Sequence, residues 1–205
     1  MPPVDSFSAL GLFVQDRFLS LDECRAFAMH MRSGSGEQAS VFGESSAGTV
    51  AVDVRRAWEV AVPRDHQAVV EERLEALRPA LESHFAVALD RADEPSFVRY
   101  PPGAFYRAHR DRRETPDASR AHRRAVSAVI FVNGPHDDVG FSGGRLRFYG
   151  LLGNGPLADV GIDAEPNAGT LIAFPSTLVH EVTTVEDGLR LSIVTWFADR
   201  LRPEF

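Results

Sequence analysis

The sequence predicts an α+β chain that is mainly β, with two or more N-terminal helices buttressing a C-terminal double-sheet barrel. Three observations predict it. Before about residue 90, two stretches carry apolar residues at helical spacing. After Pro95 the texture changes to short apolar runs broken by Gly, Pro, Asn and Asp, with no helical period between them. The length of 205 residues suits one well-packed domain and is short for two. A single domain over 1–205 is therefore expected, helical over about 1–90 and barrel-like over about 95–200.

The first helix is predicted over SLDECRAFAMHM, from Ser20 to Met31. Ser20 is its N-cap, Glu23 stands three residues later, and Leu21, Cys24, Phe27, Ala28 and Met31 form an apolar stripe. The Gly/Ser-rich stretch from Ser33 to Gly48 is expected to be a mobile loop. AVDVRRAWEVAV, from Ala51, reads as a strand ended by Pro63. A second helix runs from about Arg64 to His84, with Val69, Val70, Leu74, Leu77 and Leu81 on its apolar side and Pro79 as a point of bending or interruption. The strands then follow as SFVRY, AVSAVIFVN, GRLRFYG, AGTLIAFPS, HEVTTV and LRLSIVTWFA. No internal repeat is evident.

Composition narrows the function classes. Hydrophobic residues make up 44% and charged residues 25%, as in a folded globular protein rather than a disordered or membrane chain. The N-terminus has no basic n-region or long apolar run, so the cytoplasm is the default location and no membrane association is expected. Cys24 is the single cysteine, so any metal must be held by histidine and carboxylate. The net charge is −7, yet Arg99 to Arg124 holds eight arginines against three acids. That stretch is read as a solvated face, or as a rim attracting an anionic substrate. An acidic total and the lack of a recognition motif argue against nucleic acid.

The chemistry begins at YPPGAFYRAHRD, Tyr100 to Asp111. In an extended strand His109 and Asp111 point to one face and Arg110 to the other, presenting an imidazole and a carboxylate to one ion. A third ligand is sought further on. His180 to Val185, Glu186-Asp187-Gly188 and Leu189 to Phe197 read as strand, turn and strand. A three-residue loop with a left-handed Gly188 places His180, Val182, Thr184, Arg190, Ser192, Val194 and Trp196 on one face. A two-residue Asp-Gly loop would instead put His180 and Arg190 on opposite faces. In the first arrangement Arg190 lies roughly 13 Å from His180 at ~3.3 Å per residue. That leaves room for a small extended dianion, with one end on a metal at His180 and the other on the guanidinium, Ser192 being a neighbouring donor. 2-Oxoglutarate fits this description, and two histidines with one carboxylate leave open positions on Fe(II) for a keto acid and dioxygen.

These residues resemble the His-X-Asp…His…Arg signature of the 2-oxoglutarate/Fe(II)-dependent dioxygenases, and the prolyl 4-hydroxylase-like branch in particular. Tyr100-Pro101-Pro102-Gly103 through Tyr106 to His109, Gly143-Gly144-Arg145-Leu146, AGTLIAFPSTLVHEV and FLSLDEC carry the likeness over nearly the whole chain, most strongly from Phe97 to Phe197. The resemblance implies a double-stranded β-helix of the jelly-roll or cupin kind. It implies Fe(II) held by His109, Asp111 and His180, and 2-oxoglutarate held by Arg190, with ascorbate as a candidate reductant. Tyr100 would hydrogen-bond the co-substrate and Trp196 would wall its pocket. Phe131 stands where some relatives carry a tyrosine, which leaves Ser192 or Thr184 to supply that contact.

The activity implied is hydroxylation of an unactivated carbon by dioxygen, with release of succinate and CO2. The substrate would be a small molecule, an amino acid or a peptidyl proline, and the oligomeric state is open. The competing class is a non-catalytic jelly roll binding a metal or ligand as a sensor. His30, His66, His84 and His122 are read as structural, and His136-Asp137-Asp138 as a loop. Gly143 and Gly144 are assigned to backbone geometry, and the polar segment from Arg112 to Arg123 to a candidate lid.

Overall fold

The computed structural model describes residues 4–39, 51–114, 120–137, 140–153, 155–164 and 167–200. The helical part contains α1 (Val4–Ala9), β1 (Phe13–Gln15), α2 (Leu21–Ser33), β2 (Gly36–Gln38), β3 (Arg55–Arg56), β4 (Trp58–Val60) and α3 (Arg64–Phe85). The barrel part contains β5 (Leu89–Ala92), β6 (Ser96–Tyr100), β7 (Phe105–His109), β8 (Arg124–Phe131) and β9 (Phe141–Gly143). It continues through β10 (Leu146–Phe148), β11 (Ile162–Ala164), β12 (Leu171–Pro175), β13 (His180–Val182), β14 (Val185–Gly188) and β15 (Arg190–Asp199). The larger sheet runs β1-β12-β8-β15-β6-β4-β2, with β5 also on β15; the smaller runs β11-β10-β13-β7-β3, and β14 pairs with β9 in a two-stranded sheet.

The predicted helices form because their ends and faces agree with the sequence. Ser20 accepts from the Glu23 N–H, and the Glu23 carboxylate accepts from the Ser20 N–H at 2.8 Å, a complete capping box. Glu23 also binds the Arg73 guanidinium at 2.5 Å, which ties α2 to α3. Helix α3 continues through Pro79 to Phe85. Its Val70, Leu74, Leu77 and Leu81, with Phe27 and Met31 of α2, pack on the larger sheet against Leu191, Ile193 and Phe197. Strand β15 thus buries one alternate set of side chains under the helices and turns Arg190, Ser192, Val194 and Trp196 into the barrel. Thr195, the polar exception on the helix side, donates to the Asp93 carbonyl at 2.7 Å. A second cluster of Phe131, Leu146, Phe148, Ile172 and Phe174 fills the space between the sheets.

Three expectations are corrected. The region from Ala51 is two short strands in different sheets, β3 on β7 and β4 on β6, separated by the fully buried Ala57. Gly36–Gln38, expected in a mobile loop, pairs with β4, while residues 40–50 lie outside the described residues. Most consequentially, β13 and β15 are not a hairpin. β13 lies in the smaller sheet between β10 and β7, β15 lies in the larger sheet, and the chain crosses between them through β14. Gly188 does take the left-handed conformation, at φ 75°. However, β14 pairs with β9, where Gly143 and Gly144, also at positive φ, let two backbones approach. A Cβ on Gly143 would sit 2.2 Å from the Thr184 carbonyl oxygen. A glycine turn between two alternating strands looks the same in sequence whether the chain folds back or changes sheet.

Replacement of Ser20 by alanine is expected to lower stability by about 1 kcal/mol through loss of the cap. The urea-denaturation midpoint, with unchanged far-UV circular dichroism, reads this out.

Candidate active site

His180 and His109 are register partners on β13 and β7, so their rings meet at 4.3 Å between centroids. Each ring is set by its own chain. His109 Nδ1 lies 2.7 Å from the Arg107 carbonyl and His180 Nδ1 lies 2.9 Å from the Leu178 carbonyl, leaving both Nε2 atoms for the site. Asp111 is not part of the strand, which ends at His109. Its position comes from the turn beyond, where the N–H groups of Asp111 and Arg112 both donate to the Ser176 carbonyl at 3.0 and 2.9 Å. Its carboxylate oxygens lie 3.5 Å from His109 Nε2 and 3.4 Å from His180 Nε2. The three donor atoms lie within 4.8 Å of one another, and no other such cluster of three or more occurs among the described residues. Asp137 belongs to no such cluster, and Asp138 lies outside the described residues.

Burial opposes ionisation of Asp111. The imidazoles of His180 and His109 and the hydroxyl of Ser127, which donates to Asp111 Oδ2 at 2.6 Å, outweigh it and hold the carboxyl well below its ordinary range. Burial, reinforced by His109, pushes His180 down to about 4 against the pull of Asp111. At neutral pH the cluster therefore offers a carboxylate and a neutral His180 imidazole, the protonation states that bind a divalent cation.

Arg190 enters the same cavity from the opposite sheet. It is 1% exposed, with Tyr100 and Phe131 ring centroids 5.1 and 5.2 Å from its Cζ. Its Nη1 donates to Ser192 Oγ at 3.0 Å, whereas Nε and Nη2 have no hydrogen-bond partner among the described residues. Burial lowers its pKa, so the charged form lacks the solvation that it would have outside. A carboxylate would supply two acceptor oxygens and the countercharge together, which is what the two idle nitrogens fit. Asn133 fixes the backbone on both sides of Arg190, accepting from the Leu191 N–H at 2.8 Å and donating to the Leu189 carbonyl at 2.7 Å. Thr184, expected on this face, is exposed and outside the cavity lining.

The cavity has a volume of about 350 Å³ and is lined by all seven predicted site residues, together with Arg55, Tyr106 and Arg124. Trp196 lies six residues beyond Arg190 on β15, about 20 Å along the strand. It carries the Arg124 guanidinium 3.6 Å above its ring. The arginine-rich stretch is largely occupied by structural contacts rather than forming a free rim. Arg99 donates to carbonyls at the end of α2, Arg110 to the Thr177 carbonyl, and Arg123 pairs with Asp90 at 3.0 Å. Residues 115–119 of the candidate lid lie outside the described residues. His30 and His66 meet edge to face, and His84 packs edge-on against Phe13. Ser127, Asn133, Arg55 and Arg124 were not singled out as site residues from sequence. Ser127 carried a signal as a polar residue within an apolar strand, and Arg124 only as one charge of the arginine-rich stretch.

A jelly roll with a two-histidine, one-carboxylate cluster and a buried arginine facing it has the build of the non-haem iron oxygenases. The chain belongs to the 2OG-Fe(II) oxygenase superfamily, whose family model matches residues 95–198, and the cofactors of that superfamily are Fe(II) and 2-oxoglutarate. Among curated proteins it is 31% identical to a PKHD-type hydroxylase of Picosynechococcus, the match covering 79% of this chain and 68% of the relative. A PKHD-type hydroxylase of Psychrobacter is 28% identical over 79% of this chain, which spans only 60% of that relative's length. The crystal structure of a Pseudomonas putida prolyl-4-hydroxylase shares 31% identity and superposes with a TM-score of 0.69 over 97% of each chain. Among the described residues no helix is long and apolar enough to cross a membrane.

Two outcomes test this geometry. Ser127→Ala should weaken Fe(II) affinity by about tenfold in an anaerobic titration, because the hydroxyl orients Asp111. Between the unfolded histidine value of about 6.5 and the folded value near 4, the unfolded chain binds the extra proton on His180. Stability of the metal-free protein should therefore fall as the pH is lowered through that window, and His180→Asn should flatten this dependence in urea melts at a series of pH values.

Proposed function

We propose that the chain is a hydroxylase in which His109, Asp111 and His180 hold Fe(II), Arg190 holds the distal carboxylate of 2-oxoglutarate, and the group hydroxylated is a prolyl residue of a peptide. The observation that carries the reading is the pairing of the three-residue cluster with a buried arginine that keeps two nitrogens unpartnered. A barrel that only sensed a metal would have no use for such a cation. When bound, the iron and keto acid supply the oxidative decarboxylation that activates dioxygen.

The chain's own residues bind and orient. Asp111 and the two imidazoles would hold the ion at one wall of the cavity. Arg190 and Ser192 would give the co-substrate a fixed, dry anchor at depth and turn its reactive end toward the cluster. Val129, Leu146, Val182 and Val194 line the cavity with apolar surface that excludes water. Arg124 on Trp196 and the neighbouring Asp93 leave a polar, partly open wall for the substrate. The prolyl assignment is supported by the prolyl-4-hydroxylase likeness over nearly the full chain. The whole of 1–205 would act as one catalytic domain.

Incubation with Fe(II), 2-oxoglutarate and air, together with a library of proline-containing peptides, tests the reading. Expected are succinate formation and peptides heavier by one oxygen at proline, both lost in His180→Ala and Arg190→Met. Succinate with no oxygen on any proline would remove the prolyl assignment, and no succinate at all would remove the oxygenase reading.

A further inference from the structure

Strand β7 does not keep one phase along its length. Its pairing with β13 sets His109 opposite His180 and Tyr106 opposite Val182, so three steps on β7 face two on β13. That is a β-bulge, one extra residue in one strand of a pair. Exposure shows where it lies: Arg107 and Ala108 are consecutive exposed residues between the half-buried Tyr106 and His109. In a regular strand, residues three apart point to opposite faces. Here Tyr106 and His109 both line the cavity, and their rings stack at 3.6 Å between centroids with an 18° interplanar angle.

The bulge is pinned from outside the site. The Arg107 N–H donates to the Val54 carbonyl at 2.9 Å and its Nε to the Asp53 carbonyl at 2.6 Å, both on the segment leading into β3. The Arg107 carbonyl in turn meets His109 Nδ1 at 2.7 Å. Tyr106 is also held from β3, where its register partner Arg55 lays a guanidinium 4.8 Å from the centre of its ring. The His109 imidazole is thus set twice by its own strand, at its edge by a carbonyl and across its plane by a phenol ring. His180 has the same carbonyl support, but Phe174 meets its ring at 64° rather than face to face. His109 is also the more accessible of the two, with 15% of its side chain exposed against 6%, so the barrel wall confines it less.

We propose that Tyr106 is a positioning residue for the metal site: brought onto His109 by the bulge, its ring fixes the plane of that imidazole and with it the direction of Nε2. The inference rests on the reading that His109, Asp111 and His180 hold a divalent metal. The ring does this work and the hydroxyl does not, so Tyr106→Phe keeps the function and an aliphatic side chain loses it.

The test is a titration of the metal-free protein with Co(II), followed by the visible d–d absorption, whose position and intensity report ligand geometry. It is run on wild type, Tyr106→Phe, Tyr106→Leu, Tyr106→Met, His109→Ala and the Tyr106→Leu/His109→Ala double variant. Loss of an aromatic stack predicts about fivefold weaker Co(II) binding in Tyr106→Leu, with an altered spectrum, and wild-type affinity and spectrum in Tyr106→Phe. In the His109→Ala background the leucine substitution should cost nothing further, because the imidazole it acts on is gone. Three results would overturn the proposal: wild-type affinity in Tyr106→Leu, a Tyr106→Phe protein as weak as Tyr106→Leu, or losses that multiply in the double variant. Thermal melts of the metal-free proteins identify any variant that fails to fold, and if Tyr106→Leu is one, Tyr106→Met is read against the same expectations. A wild-type protein that binds no Co(II), or a His109→Ala protein that binds it as well as wild type, would contradict the proposed function itself, a result distinct from any of these three.

Discussion

A guanidinium buried between two sheets with two of its three nitrogens unpartnered among the described residues is the constraint around which this barrel is arranged. Removing such a cation from water costs several kcal/mol unless its charge and donors are met, and the protein meets only one of the needs of Arg190, through Ser192. The surroundings hold the side chain rather than neutralise it. Asn133 replaces strand pairing on both sides of its backbone, Tyr100 and Phe131 bracket its head, and Gly144 leaves room for its stem. A Cβ on Gly144 would lie 3.1 Å from Arg190 Cδ, at a backbone φ of +57° that side chains rarely adopt. The unmet demand is for an anion.

The separation of tasks between the sheets follows from that. The smaller sheet supplies both histidines as a cross-strand pair, and the turn after β7 supplies Asp111. The larger sheet supplies Arg190, Ser192 and Trp196 from one face of one strand, whose other face is the helix-packed core. The spacing between cluster and cation is thus the spacing of two packed sheets, which side-chain motion does not readily change. Ser127 joins the two halves, reaching from the larger sheet to Asp111 and to Ser176 at 2.8 Å.

Much of this was legible in the sequence, for reasons particular to each element. The capping box at Ser20 and the apolar stripe of α3 are local signals, and both helices formed where they were expected. Strand alternation on β15 separated cavity from core residues correctly, because the period of two holds whatever the partner strand is. Pairing was not legible. Gly188 turned as predicted, yet β14 left for β9, since the close approach at Gly143 is a long-range contact that neither segment announces. His180 and Arg190 consequently face each other across the barrel rather than along one hairpin. Asp111 was placed beside His109 by a strand argument, whereas two hydrogen bonds to the Ser176 carbonyl do the work. Asn133 and Arg55 left no signal in sequence, because the residues they meet lie far along the chain, and Arg124 was legible only as one charge of the arginine-rich stretch.

The most direct measurement is a crystal structure of the protein with Mn(II) in place of iron and with 2-oxoglutarate. We expect the metal on His109 Nε2, Asp111 and His180 Nε2, and the distal carboxylate of the keto acid on Nε and Nη2 of Arg190. A metal held elsewhere, or a keto acid whose distal carboxylate lies away from Arg190 with those two nitrogens still unpartnered, would contradict this reading of the buried cation.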